Sequence, residues 1–356
     1  MTKNTSFQPV IDVLLETDQP FPKKYLSLFS DMDPALLDLL LDAWPRIALT
    51  TKLTLLADLD ARLSEDTIVS FDDFARALLT DPDAPVRAAA IRLLTECDDV
   101  RLIPIYEKML ASDPDVDTHL AAVTALGLFV DLGEMDEIPA SAFHRTEDLL
   151  LACLRGGDKP SVKRSALESL GYSSRSDVPP QIEDAYRRED PAWVTSALVA
   201  MGRSHDDQWE DHVLEMLVSE NDDVRLAAVK AAGELGLDSA RLPLLHLLDD
   251  EEDEAVFAAA VWSLSQIGGE DVREFILALA DHTEDEDDLD FYEEALANLA
   301  FTEDLAALDM LALDPDTDLL EIIQLDDDLE DDEEEDVAAS KPAKTAKSSK
   351  PAKKKK

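Results

Sequence analysis

Cysteine is nearly missing from this chain. Cys97 and Cys153 are the only two in 356 residues, too few for a disulfide framework and without the CxxC spacing of a zinc site. Glycine is also scarce, with 10 residues, and aromatics make up only 6%. An all-β fold lacks its usual turn and strand material here, and there is no GxGxxG, GxxxxGK[ST] or GxSxG sequence to cradle phosphate or carry a nucleophile. Basic side chains are outnumbered 32 to 80, a net charge of −48, which argues against a folded body that grips nucleic acid or an anionic membrane through its own surface. The longest apolar run, Leu120 to Val130, falls well short of the ~20 residues of a membrane span. The opening MTKNTSFQPVIDVLLETDQP shows neither the apolar core nor the small-residue cleavage site of a secretory signal. A reducing, cytoplasmic location is the expectation.

What is abundant is Leu and Ala, within a 46% hydrophobic composition, and that combination favours helices. Seven segments share one register: VRAAAIRLL from Val86, THLAAVTALG from Thr118, VKRSALESLG from Val162, WVTSALVAMG from Trp193, VRLAAVKAAG from Val224, VFAAAVWSLS from Val256 and FYEEALANLA from Phe291. With the first residue numbered zero, small or apolar residues recur at positions 3, 4, 5 and 8, and Gly or another small residue usually stands at 9. That spacing is helical, and a repeat of 31 to 35 residues, with one longer interval of 44, is one helical hairpin per step. Pro104, Pro179, Pro180 and Pro243 mark the first turns of the preceding helices, where a missing N–H costs nothing. Asp-rich turns such as DPDAP (81–85) and ENDD (220–223) are expected to supply N-cap oxygens to the second helices. No hairpin can bury its apolar stripe alone, so neighbours must stack. The expected fold is all-α: an α-solenoid of about seven hairpins, right-handed.

The pattern D-x-x-V-R-x-x-A-A-x-x-A-x-G, most complete in DDVRLAAVKAAGELG (222–236), resembles the HEAT-like repeats named from phycobilisome lyase proteins. The resemblance covers about residues 70 to 312. It implies the solenoid fold and leaves function open, since such repeats occur in scaffolds, adaptors, bilin lyases, DNA glycosylases and a di-iron hydroxylase. Residues 1–66 read as an N-terminal helical cap, with helices in KKYLSLFS, PALLDLLLDAW and LTLLADLDARL, and 67–325 as the repeat solenoid closed by DTDLLEIIQL. Residues 326–356 read as a disordered tail, ten acids in eleven positions followed by eight lysines in sixteen. Without these two blocks the body keeps 24 basic and 70 acidic residues, so it carries the charge. The Lys-rich segment, KPAKTAKSSKPAKKKK, is expected to fold back onto the acidic body rather than serve nucleic acid.

Candidate chemistry is thin. The di-iron hydroxylases of the family carry His-Glu pairs, and none of the six histidines is followed by Glu; His119 and His246 are the first ligands to test should a metal be found. Asp113, Asp115, Asp117 and Asp314, Asp316, Asp318 open like calcium loops, yet the sixth positions are Thr118 and Leu319 and the twelfth Thr124 and Leu325, without the Gly and Glu that such a loop needs. No cofactor, metal or catalytic residue is expected. Surface remains. The second helices should line a concave face through register positions 2 and 6, where Val199, Leu226 and Trp262 form an apolar patch beside Lys230. Arg87 and Arg225, at position 1, should pair with carboxylates of adjacent repeats and fix the stacking. The leading expectation is a non-enzymatic scaffold or adaptor, a monomer, binding a basic protein or peptide partner and no membrane. The alternatives are a bilin-lyase-like or other HEAT-repeat enzyme or enzyme subunit, and a nucleic-acid-associated factor working through the Lys-rich tail.

Overall fold

In every second helix the residue at register position 4 is alanine: Ala90, Ala122, Ala166, Ala197, Ala228, Ala260 and Ala295, each fully buried. Only a methyl group fits there, because each of these helices lies against the next. The computed structural model, which describes residues 4–16, 21–65 and 68–312, is helical throughout with no strand among those residues. The seven hairpins are α4 (Asp72–Leu78) with α5 (Ala84–Arg92), α6 (Ile103–Ser112) with α7 (Val116–Glu134), α8 (Ala140–Arg155) with α9 (Pro160–Leu170), α10 (Pro179–Tyr186) with α11 (Pro191–Arg203), α12 (Glu210–Met216) with α13 (Asp222–Glu234), α14 (Arg241–Leu247) with α15 (Glu254–Ile267), and α16 (Glu270–His282) with α17 (Glu286–Ala312). Every register start falls in a second helix. Those second helices form one continuous row, α5 against α7, then α9, α11, α13, α15 and α17. The chain is an α-solenoid.

Close approach at position 9 accounts for Gly127, Gly171, Gly202 and Gly233. A methyl added to Gly171 would stand 2.7 Å from the Cα of Ala200, and one on Gly233 would meet the Ser263 Cβ at 2.7 Å. A residue at position 7 of the next repeat is in reach of each of Gly127, Gly171, Gly202 and Gly233, joined at the last two by the longer Glu234 and Gln266 side chains, so a missing side chain on one helix admits its neighbour. Where position 7 is serine its hydroxyl is put to use: Ser169 Oγ donates to the Val123 carbonyl at 3.1 Å and Ser263 Oγ to that of Val229 at 2.9 Å. Both cross-helix bonds span one repeat boundary and satisfy buried hydroxyls.

Helix starts follow the expected chemistry with two corrections. Pro104, Pro179 and Pro180 do occupy first turns, and Asp115, Asp190 and Asp253 accept cap bonds from backbone amides of α7, α11 and α15. In DPDAP, however, Asp83 makes no side-chain cap bond; Asp81 instead accepts the Asp83 amide at 2.9 Å. In ENDD the capping oxygen belongs to Asn221, which takes the Val224 amide at 3.0 Å, while Asp222 turns to Arg225. A neutral amide caps as well as a carboxylate, and Asp222 does better beside a cation.

Ahead of the repeats, α1 (Asn4–Leu15), α2 (Pro34–Ala43) and α3 (Leu49–Glu65) pack around Phe7, Phe21, Phe29 and Phe74, whose rings meet edge-on or tilted at 5.4 to 6.0 Å. α3 sits against α5 at the head of the row of second helices. Its Leu55, Leu56 and Leu59 are buried as positions 4, 5 and 8 are elsewhere. α3 is thus a degenerate second helix that continues the register into the cap. α7 is long and apolar enough to cross a membrane by composition, but ten of its residues are buried against its neighbours, as befits a core helix. The closing helix expected at DTDLLEIIQL, the acidic block and the lysines lie outside the described residues.

Candidate interaction face

The ends of the second helices are tied together at position 1. Arg87 Nε and Nη2 donate to the two oxygens of Asp113 at 2.7 and 2.8 Å, and its Nη1 to the Asp81 carbonyl at 2.8 Å. Arg225 repeats the arrangement four hairpins on, gripping Glu251 at 2.7 and 3.0 Å and the Ser219 carbonyl at 2.7 Å. In both cases the carboxylate stands five residues before the next register start and also accepts a backbone amide of the next helix entry, that of Asp115 or Asp253. Burial works against the Asp113 charge, yet the bonds from Arg87 and the Asp115 amide outweigh it and hold the carboxyl below its usual range; the Arg225 hydrogen bond does the same for Glu251. The pairing expected of Arg87 and Arg225 is present.

His119 falls in the same slot. Its Nε2 lies 2.8 Å from the Asp113 carbonyl and its Nδ1 3.4 Å from Asp158, so the imidazole stands in for an arginine at a repeat boundary. Lys52 takes that place on α3, buried 3.5 Å from both Asp81 and Asp83, with the Trp44 indole donating to Asp81 at 2.7 Å. Asp113 and Asp115, which opened one calcium-like spacing, are thereby committed to Arg87 and to the α7 cap; Asp314, Asp316 and Asp318 lie outside the described residues. His246 is exposed on α14. Among the described residues no group of His, Cys, Asp and Glu is arranged to hold a metal.

Positions 2 and 6 line cavities at the two ends of the row. Near its head a cavity of about 490 Å³ is bounded by Leu53 and Ala57 of α3, Ala88 and Arg92 of α5, and Leu120 and Thr124 of α7. Near its far end one of about 390 Å³ is bounded by Lys230, Ala258, Trp262 and Phe291. Lys230 and Trp262 therefore share one cavity. Val199 and Leu226 do not line it; both are half-buried and lean on the core. Trp262 is itself half-buried, its ring packed against that core on one side and facing the cavity on the other. The head cavity was legible in the sequence as positions 2 and 6 of the first two repeats, but the aliphatic, threonine and alanine residues there carried no aromatic to draw attention, and the α3 wall had no repeat signature.

Residues 72–140 and 210–297 match the sequence profile of HEAT repeats. The chain carries HEAT repeats in these two regions. The match is to HEAT repeats at large and does not single out the phycobilisome lyase branch. No curated protein sequence matches significantly. Among solved structures, this HEAT-repeat chain is similar to YibA of Escherichia coli, at 13% identity over 80% of this chain and 99% of that one, with a TM-score of 0.41. It is similar also to yeast importin-β, Kap95p, at 11% identity over 83% of this chain and 46% of that one, with a TM-score of 0.43. The aligned region spans about half of the importin chain. Likeness at this level carries no argument about what the protein does.

Proposed function

We propose that this protein is a non-enzymatic interaction scaffold that receives a basic protein or peptide along positions 2 and 6 of its second helices. The observation that supports this is the pair of cavities at the head and far end of one helical row. Each joins apolar side chains to charges of both signs, Arg92 with Asp60 and Asp117 at the head and Lys230 with Glu234 at the far end, which is how interaction anchors are seated. The excess of 70 acids over 24 bases outside the tail blocks steers a basic partner towards such a face and repels an acidic one. Lys230 then serves as a local register mark within an acidic field.

The test begins with affinity capture, and a partner so identified is titrated calorimetrically. Trp262→Ala should cost about 2 kcal/mol or more of binding free energy if the indole is an anchor, and Leu120→Ala should weaken the same complex. Unchanged affinity in both variants, with melting temperature retained, would move the interface off this face. A large fall in melting temperature for Trp262→Ala would assign the indole to packing.

A further inference from the structure

The turns that enter α15 and α17 are the most acidic of the described chain. Residues 249–254 are six consecutive acids and residues 284–288 five, and stacking of α15 on α17 sets the two runs side by side. Between them opens a cavity of about 520 Å³, with Phe257, Phe291 and Tyr292 as walls and Glu252, Glu254 and Asp288 at the mouth. Phe291 and Tyr292 hold their ring centroids 5.6 Å apart at 56°. Glu251 is engaged by Arg225 and Asp253 caps α15, but Glu252 and Glu254 make no ion pair among the described residues. At the entries to α5, α7 and α9 the acids Asp81, Asp113 and Asp158 are held by Lys52, Arg87 and His119. At this end the nearby cation, Arg225, is committed to Glu251 and Asp222, and the carboxylates of Glu252, Glu254 and Asp288 stand over aromatic rings.

Such a cavity selects for an ammonium or guanidinium on a long aliphatic stem: the rings take the stem and face the cation, and the carboxylates neutralise it. We infer that its occupant is the Lys-rich segment of this same chain, residues 341–356. Charge complementarity is one argument, since that segment holds eight of the chain's 32 basic residues and no acid. Reach is the other. From Phe291 to the end of α17 is about 32 Å of helix, and the 28 residues from 313 to 340 can span up to about 90 Å. A tethered segment with that reach presents itself at high effective concentration. Because this cavity shares Ala258 and Phe291 with the one that Lys230 and Trp262 line, lysines seated here border the proposed partner face, and a basic partner must compete with them.

Zero-length carbodiimide cross-linking of the full chain, read by peptide mass spectrometry, tests the assignment. Links from Lys341–Lys356 should concentrate on the 249–254 and 284–288 runs. Phe291→Leu and Tyr292→Leu, which leave every carboxylate in place, should cut those links by about threefold or more while links to other acids persist. Should either variant prove unfolded by circular dichroism, the distribution in the unaltered chain decides alone. Tail links spread over surface carboxylates in proportion to exposure, or links to the two runs undiminished in a folded aromatic variant, would overturn the inference. So would links found chiefly between isotopically light and heavy copies in a mixed sample, which would make a second copy the occupant.

Discussion

Arg87 and Asp113 close a two-point grip across the boundary between the first and second hairpins, at 2.7 and 2.8 Å, with side chains that keep only 13% and 8% of their exposure. A planar guanidinium matches both carboxylate oxygens and still reaches the Asp81 carbonyl with its third nitrogen. A lysine would lose this.

Replacing one partner should therefore hurt more than replacing both. Arg87→Leu strands a poorly solvated carboxylate and should cost about 3 kcal/mol, whereas Arg87→Leu combined with Asp113→Leu should recover most of that loss. Urea unfolding of the two singles and the double gives the coupling directly, and additive costs would refute it.

Acid sensitivity has a sign. Asp113 and Glu251 have folded-state values below their ordinary ones, so each contributes stability that is complete above the unfolded carboxyl values of about 4 and is lost as pH falls through the lower folded values. Between roughly pH 4 and pH 2 the unaltered chain should lose stability more steeply than the combined Arg87→Leu and Arg225→Leu variant, in melting curves recorded across that range. Equal slopes would show that the two grips are not the acid-labile element.

Two glycines of ordinary backbone conformation, Gly171 and Gly157, make a controlled comparison. Gly171→Ala would place its methyl 2.7 Å from the Ala200 Cα and 2.8 Å from its carbonyl oxygen, and parting α9 from α11 should cost about 1–3 kcal/mol. Gly157→Ala meets nothing within 4 Å and should be neutral or stabilising by about 0.5 kcal/mol, through the unfolded chain. Thermal melts of the two single variants make the comparison, and similar losses in both would refute the close-approach reading of position 9.

Both thiols should be inert in the folded protein. Cys97 and Cys153 are buried, and burial pushes the Cys153 thiol up to about 11 and raises Cys97 as well. At pH 8 an aromatic disulfide reagent should modify them slowly, at a rate set by opening of the stack, and both at once in denaturant. Rapid native labelling of either would contradict this burial.

How much was legible in advance follows from which forces act locally. Seven hairpins could be counted from the sequence because positions 4, 5, 8 and 9 answer to one helix packing on its neighbour, and a neighbour that is another copy of the same unit writes its demand into each copy. The resemblance to HEAT repeats rested on the same residues. Arg87 and Arg225 were legible for that reason too, whereas the carboxylates they hold were not, since nothing in a single helix tells which of many acids lies across the boundary.

Tertiary structure alone decided the rest. Lys52 on Asp81, and with it the continuation of the register into α3, has no repeated sequence to announce it, because an end helix packs on one side only and its other positions are released to the aromatic cap. Val199, Leu226, Lys230 and Trp262 share inner register positions, yet only Lys230 and Trp262 face one cavity, which the small residues Ala255, Ala258 and Ala259 border, while Val199 and Leu226 lean on the core. The same holds for the acids. Composition counts 80 of them, but the stacking of α15 on α17 is what sets residues 249–254 beside 284–288 across three aromatic rings. Charge along a chain is additive, whereas charge in a site depends on which turns the packing brings together.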